Sequence, residues 1–319
     1  MKKPHRNPGL ALAAALMTLT AAACAPPAEE PGKPRVVATI FPVADLAAWV
    51  GGEAVDVESL LPPRASVHTW EASPGQIRSL SQARAFISVG GGLDTWLEAM
   101  GADTPGLTTL RLTDGMTLRR ADAPHSHGPE PAHEQDHEQE HGEAEATGDP
   151  HVWLDPLLVR DEFVPRIRDL ITALAPAQEA AIRERAQALS DSLTALDGEI
   201  RAILAGRKLD GFIATHDAWA YFADRYGLVP LGHIYASPGH EPSARGLATL
   251  VDAARAAGLG AVLTEPQLSE TAAQALAGEL GAYVVTVDPL GGAGVEGRGS
   301  YLDLMRFNAR AFAQALGKP

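Results

Sequence analysis

The pattern of apolar positions along the chain alternates between short apolar runs and helix-like spacing. Apolar runs at residues 36–40, 55–61 and 85–89 predict buried strands, and residues 43–50 and 74–81 between them predict helices. Strands that alternate with helices in this way are typical of a parallel sheet with helices on its faces. The first part of the chain therefore predicts an α/β unit.

The same alternation returns after residue 206. Strands are predicted at residues 211–215, 228–231, 261–263 and 283–287, with helical segments between them. We therefore predict an α/β fold of two lobes, each a mainly parallel sheet flanked by helices.

A long amphipathic helix is predicted at residues 176–206, between the two alternating regions. Pro176 suits the first helical position, and Gly206 suits a helix end. Apolar residues continue along it with a three-four spacing that predicts one buried face. This stripe consists of Ile182, Ala186, Leu189, Leu193, Leu196, Ile200 and Ile203. We predict that this helix links the two lobes, with a ligand site in the cleft between them.

The predicted lobes occupy residues 35–175 and 207–319, and the first contains a segment of a different composition. Residues 121–149 carry nine acidic side chains, five histidines and no Lys or Arg. Such a segment cannot bury a core, so we predict a disordered loop rich in histidine and acid. Its histidines are candidates for weak, accessory metal binding. They are His125, His127, His133, His137 and His141.

Part of this loop matches the zinc-protease motif H-E-x-x-H at residues 133–137 and again at 137–141. That chemistry needs the motif on a buried helix, so that both histidines face one zinc and the glutamate acts as base. The loop has no apolar face to bury, and Pro129 and Pro131 precede the match. We therefore predict no catalytic site here. A spacer without metal-binding function remains an alternative.

The N-terminal residues predict export. A cationic start, a short apolar stretch at residues 10–20 and small residues at 21–23 are typical of a secretory signal peptide, here residues 1–23. Cys24 is the sole cysteine and follows directly, at the position of the lipid-modified cysteine of bacterial lipoproteins. We predict lipid attachment there, a proline-rich tether at residues 24–34, and a location in the periplasm or at the cell surface. Ordinary cleavage that leaves a free thiol is the alternative.

Charge and composition narrow the possible partners. The formal net charge is −14, and the sequence has no basic patch of the kind that nucleic-acid binding requires. No stretch after the signal peptide has the eighteen or more apolar residues of a membrane-spanning helix. The acidic balance favours cationic ligands, although only weakly.

Polar side chains follow several predicted strands at their carboxyl ends, where open α/β sheets bind ligands. His216, Glu265 and Asp288 come directly after strands of the second lobe, and His68 follows a strand of the first lobe by a short loop. His151 lies where regular structure resumes after the acidic loop. Neutral imidazoles together with a carboxylate suit tetrahedral zinc.

The sequence around these residues resembles the substrate-binding lipoproteins of bacterial ABC transporters for zinc and manganese. The matching motifs are ATIFPV (38–43), HTWEASP (68–74), DPHVWLDP (149–156), THDAW (215–219), TEPQ (264–267), DPLGG (288–292) and YLDLMRFN (301–308). The resemblance covers nearly all of the chain after the tether. It implies two lobes joined by a rigid helix, and a monomeric receptor that delivers its ion to a membrane permease and catalyses no reaction.

Carried over position by position, the resemblance implies that His68, His151, His216 and Asp288 are metal ligands. Glu265 is expected to support the site without coordinating the ion. Manganese-binding members tend to carry glutamate where His216 stands, and nitrogen ligands favour zinc. We therefore expect Zn²⁺ as the transported ligand. Zinc-specific members often carry a histidine-rich acidic loop, which would collect zinc weakly near the cleft.

Three other functions remain open from the sequence. One is a manganese receptor of the same family. Another is a zinc-dependent hydrolase, since three protein ligands and an open position also describe a catalytic zinc site. The third is a zinc buffer or adhesin that uses the same site.

Overall fold

The computed structural model describes residues 32–120, 148–235 and 242–317, together with Met1. Almost all of the predicted signal peptide, Cys24 and the five histidines of the acidic loop lie outside the described residues. The predictions made for them therefore stay predictions.

The first half of the chain forms a four-stranded, wholly parallel sheet with the strand order β2-β1-β3-β4. The central strands β1 (Arg35–Ala38) and β3 (Ala85–Ser88) are almost fully buried, whereas β2 (Asp56–Ser59) and β4 (Thr108–Arg111) form the edges. The central strands are nearly continuous apolar runs because both faces of a parallel sheet are covered. Among these strands, β4 was not predicted.

Three helices accompany this sheet: α1 (Phe41–Gly51), α2 (Pro74–Ser81) and α3 (Thr95–Ala102). Helix α2 begins with a capping box, in which the Ser73 hydroxyl accepts from the Gln76 amide and the Gln76 side chain accepts from the Ser73 amide. The Gln76 side chain also donates to the Leu60 carbonyl at 2.5 Å. This bond ties the start of α2 to the end of β2, on either side of the loop that carries His68.

After residue 148 the chain becomes helical. Asp155 caps α4 (Pro156–Leu158) by accepting from the Leu157 and Leu158 amides, and a π-helical turn over Val159–Phe163 leads into α5 (Val164–Leu174). A 3₁₀ turn then precedes the 26-residue helix α6 (Glu179–Leu204). At 1.5 Å per residue, α6 is about 39 Å long. The predicted long helix is confirmed, although its first turn is 3₁₀ and not α-helical.

The apolar stripe of α6 faces the core as predicted, with one change. Ile203 is only partly buried, and Leu204 takes the last buried position. The buried residues are Ile182, Ala186, Leu189, Leu193, Leu196, Ile200 and Leu204.

The second half of the chain contains two pairs of parallel strands, which adjoin through β5 and β7. The strands are β5 (Gly211–Ala214) with β6 (Val229–His233), and β7 (Ala261–Thr264) with β8 (Tyr283–Thr286). The helices are α7 (Ala220–Tyr226), α8 (Ala244–Ala257), α9 (Thr271–Leu280) and α10 (Tyr301–Leu316).

The predicted α/β class, with parallel sheets flanked by helices, is confirmed. Residues Lys33–Pro319 form one compact unit, and a single apolar cluster in it includes the stripe of α6 and residues of both sets of strands. The predicted lobe boundaries stay a prediction. None of the helices in the described part of the chain combines the length and apolar character that a membrane span requires.

Candidate metal site

Three of the predicted ligands meet in the structure. His68, His151 and His216 each offer a ring nitrogen, and these nitrogens all lie within 4.8 Å of one another. Their ring centroids are 5.4 to 5.6 Å apart. A tetrahedral zinc ion with nitrogens at 2.0–2.1 Å would hold those nitrogens about 3.4 Å apart. Modest movements of the side chains would therefore complete a three-nitrogen site.

His68 lies on the loop between β2 and α2 and is the exposed member of the three. A turn shapes the loop, because the Trp70 amide donates to the Ser66 carbonyl at 2.9 Å, and Val67 is buried beneath it. Desolvation of the ring within the site, together with the neighbouring imidazoles, lowers the pKa of His68 to about 3. His68 is therefore neutral at neutral pH and has a lone pair available for a metal.

His151 is buried and held by Asp149. One carboxylate oxygen of Asp149 accepts from the His151 amide at 3.0 Å and lies 2.8 Å from its Nδ1. A carboxylate at Nδ1 keeps the ring proton there, which leaves Nε2 as the atom that can bind a metal. The Trp153 ring packs against the imidazole with centroids 5.1 Å apart.

His216 follows β5 and contacts the carboxylate that follows β7. Its Nδ1 lies 2.6 Å from Oε2 of Glu265, which is fully buried and accepts from the Trp219 indole through Oε1 at 3.1 Å. Burial alone would lower the pKa of His216, but the Glu265 carboxylate outweighs it, so the pKa is raised. Glu265 therefore contacts Nδ1 of His216, which is the supporting position that the sequence predicts for it.

Asp288 does not belong to the cluster of nitrogens. Its Oδ1 accepts from the Gln267 side chain at 2.8 Å and from the Leu290 and Gly291 amides at 3.0 Å each. Its Oδ2 accepts from the Arg298 guanidinium at 2.8 Å. Since each carboxylate oxygen offers about two lone-pair directions, Oδ1 has no capacity left, whereas Oδ2 could still take one more partner.

The histidines border a small cavity of about 10 Å³. That is close to the space one water molecule needs, so the cavity suits a single ion better than an organic substrate. Ser66, Glu265 and Gln267 also line this cavity, and the remaining lining residues are apolar, namely Val67, Trp153, Leu268, Pro289 and Leu290.

A search against protein families matches residues 36–315 to the model described as zinc-uptake complex component A, periplasmic. The chain belongs to this family. The match spans both sets of strands, the long helix and all three clustered histidines.

Two relatives of this chain carry names that are consistent with the zinc-uptake family. The zinc-binding lipoprotein AdcA of Streptococcus pneumoniae is 28% identical over 312 residues, which cover 95% of this chain and 60% of AdcA. The high-affinity zinc uptake system protein ZnuA of Bacillus subtilis is 28% identical over 291 residues, which cover 89% of this chain and 88% of that protein. The chain therefore spans only part of the length of AdcA and most of that of ZnuA.

A solved structure shows the same architecture. A crystal structure of ZnuA superposes with a TM-score of 0.75 at 28% identity, and the match covers 89% of this chain and 99% of that one.

Some polar partners of the site were not predicted from the sequence. Asp149 as the partner of His151 had an available signal, because the two residues stand two positions apart in one motif. Arg298 and Gln267 as partners of Asp288 had no such signal, since each lies ten or more positions away.

Proposed function

We propose that this protein is an extracytoplasmic zinc receptor that delivers Zn²⁺ to the permease of an ABC transporter. The observation that carries the proposal is the convergence of His68, His151 and His216, with a carboxylate behind each of the two buried rings. The zinc-uptake family and the zinc-binding relatives support the same cargo.

Zinc fits this site better than manganese. The clustered donors are imidazole nitrogens, and such sites favour zinc, whereas carboxylate and carbonyl oxygens suit manganese. The carboxylates of Asp149 and Glu265 contact Nδ1 of His151 and His216, respectively. A carboxylate in this position raises the basicity of the imidazole as a metal ligand. A manganese receptor is therefore the weaker alternative.

We assign the fourth ligand position to Asp288 through its Oδ2 atom. Among the residues that the structure describes, this oxygen accepts from Arg298 alone, so a change of partner from guanidinium to metal would bring it into the site. A fourth protein ligand would close the position that a hydrolytic zinc needs for its water. Together with the small cavity, that closure favours a receptor over a hydrolase.

In this mechanism, Zn²⁺ is captured when its hydration water is replaced by three neutral imidazoles and the Asp288 carboxylate. Because a proton and a metal compete for the same nitrogen, affinity falls as the medium becomes acidic. Release occurs when docking on the permease moves the ligands apart.

Two accessory features belong to the same proposal. Lipid at Cys24 would hold the receptor at the membrane surface as a monomer. The histidines of residues 125–141 would collect zinc weakly and raise its concentration near the high-affinity site. Both lie outside the described residues and are supported by the sequence pattern, and the name of the AdcA lipoprotein supports the anchor.

The test is a zinc titration of three mature chains, each in competition with a chromophoric chelator. They are the wild type, a deletion of residues 124–142, and the double variant His68→Ala/His216→Ala. We expect one tight zinc ion in the first two chains and none in the double variant. If tight zinc is lost with the deletion and kept in the double variant, the histidine cluster is not the receptor site and storage becomes the better function.

A further inference from the structure

The chain enters and leaves the acidic segment through a junction that the structure describes on both sides. Arg120 and Gly148 pair as an isolated antiparallel bridge, and the Asp149 amide donates to the Arg119 carbonyl at 2.8 Å. A side chain at Gly148 would not fit, because a Cβ atom there would lie 2.4 Å from Cβ of Leu118 and 2.9 Å from the Arg119 carbonyl oxygen. The two chain ends are therefore held in close register.

One hydroxyl from the second half of the chain joins both sides of this junction. Tyr221, on α7, donates to the Asp149 carbonyl at 3.0 Å and accepts from the Arg119 amide at 3.0 Å. The side chain is 6% exposed, so both bonds are largely shielded from water. Arg119 adds an ion pair with Asp224 on the same helix, and its guanidinium lies 6.0 Å from the Tyr221 ring centre.

The same residues lead directly to the histidine cluster. Asp149, whose carbonyl Tyr221 binds, also holds His151 through its carboxylate. Tyr221 itself lies five positions after His216, in the helix that follows this ligand. Two of the three ring nitrogens thus belong to segments that a single hydroxyl connects.

We propose that Tyr221 is a positioning residue of the metal site. Its hydroxyl fixes the backbone of Asp149, and the Asp149 carboxylate in turn sets the orientation of the His151 ring relative to His216. This inference rests on the proposed zinc function. Tyr221 makes no contact with the ion and acts through Asp149.

The test removes the hydroxyl alone. Tyr221→Phe should weaken zinc binding about 3- to 10-fold, the size expected when a supporting hydrogen bond is lost. The matched control is Tyr283→Phe, since the Tyr283 hydroxyl donates at 2.9 Å to the carbonyl of Gln314, which lies on α10 and not at the junction. Zinc affinity in the control should stay within a factor of two of the wild type.

A double-variant cycle separates positioning from a general loss of stability. In an Asp149→Ala background the path to His151 is already broken, so Tyr221→Phe should change zinc affinity less than twofold. In a Glu265→Gln background, which perturbs His216 instead, Tyr221→Phe should keep its full effect. Equal effects in the two backgrounds would overturn the proposal, as would wild-type affinity in Tyr221→Phe alone.

A spectroscopic readout in the zinc-free protein makes the test independent of zinc binding. The ring nitrogen shifts of His151 in ¹⁵N NMR should move in Tyr221→Phe, and those of His68 should not. If the wild type binds no tight zinc, the proposed function fails. The His151 signals then decide the positioning role by themselves, and unchanged signals would overturn it.

Discussion

The three histidines are held to different degrees. His151 and His216 are buried, and each has a carboxylate at Nδ1. His68 is exposed, and within the described parts of the chain no carboxylate contacts its ring. In the proposed zinc site, two ligands would therefore be fixed before the metal arrives, and the third would complete the site from a surface loop.

Asp288 provides a prediction at the same scale. Asp288→Asn should weaken zinc binding about 10- to 100-fold, because it removes the charged oxygen assigned to the fourth position. Arg298→Gln should leave zinc binding intact or tighten it, because Oδ2 loses its competing partner. Competition titration of both variants checks this. Wild-type affinity in Asp288→Asn would reduce Asp288 to an anchor for the Leu290 and Gly291 amides.

Sequence reasoning could single out the three clustered histidines but not all of the polar partners around them. His216 directly follows β5 and His68 follows β2 by a loop, at the strand ends where α/β sheets gather polar groups, whereas His151 was marked only by its short sequence motif. The engagement of Asp288 with Arg298 depends on the path of a glycine-rich turn, which carries no periodic pattern. The Glu265 contact to His216 required knowing that β5 and β7 adjoin.

At the scale of elements, a buried carboxylate joins the ends of the two central strands. Oδ2 of Asp94 accepts from the Thr39 hydroxyl at 2.6 Å and the Val89 amide at 2.8 Å, and Oδ1 accepts from the Gly90 amide at 3.0 Å. Gly90 has a positive φ of 87°, and a Cβ there would meet the Thr113 hydroxyl at 2.3 Å, so the turn requires glycine. Burial raises the pKa of Asp94 to about 6.

This pKa predicts a pH dependence of stability. The unfolded pKa is about 3.9, so between pH 4 and 6 the folded state holds a proton that the unfolded state releases. Stability from this group therefore rises as the pH falls through that window. Relative to Asp94→Asn, the wild type should gain roughly 1 kcal/mol in the free energy of unfolding between pH 7 and pH 5.

Urea unfolding of both zinc-free proteins at the two pH values measures the difference. A difference that stays constant or shrinks on acidification would contradict the raised pKa. Using the difference between variants cancels the contributions of other titrating groups.

The elements themselves were predictable to different extents. β1, β3, β5 and β7 were found because buried parallel strands read as apolar runs. β4 was missed because Thr108–Arg111 is a largely exposed edge strand with one apolar side chain. The π-helical turn before α5 was also missed. It precedes Pro165, which has no amide hydrogen to continue the regular α-helical pattern.

At the scale of the whole molecule, the segment that carries His151 is joined to the second half of the chain by hydrogen bonds and an ion pair. The Trp153 indole donates to the Pro289 carbonyl at 2.7 Å, and the Tyr301 hydroxyl donates to the Trp153 carbonyl at 2.7 Å. Arg225 forms an ion pair with Asp155 at 2.8 Å. His151 and His216 therefore belong to one hydrogen-bonded network, although we predicted from the sequence that they lie in different lobes.

Zinc binding should stabilise the folded state of the protein. Free zinc at about 1,000 times its dissociation constant adds about 4 kcal/mol to the folded state. For a chain of this size, that amount corresponds to a rise in Tm of about 10 °C. Differential scanning calorimetry with zinc and with excess chelator would measure the rise. The double variant His68→Ala/His216→Ala should show none, and an equal rise in both proteins would point to binding elsewhere.

In the proposed zinc complex, the exposure of His68 sets the order in which the ligands would leave the ion. An incoming donor from solvent can reach the coordination sphere from the side of this imidazole, whereas the other two rings are shielded and held by carboxylates. The first bond to break is then the one to His68. The residence time of zinc depends on how often the loop between β2 and α2 moves His68 away from the ion. A partner that binds the loop carrying His68 would shorten the lifetime of the zinc complex without disturbing the rest of the molecule.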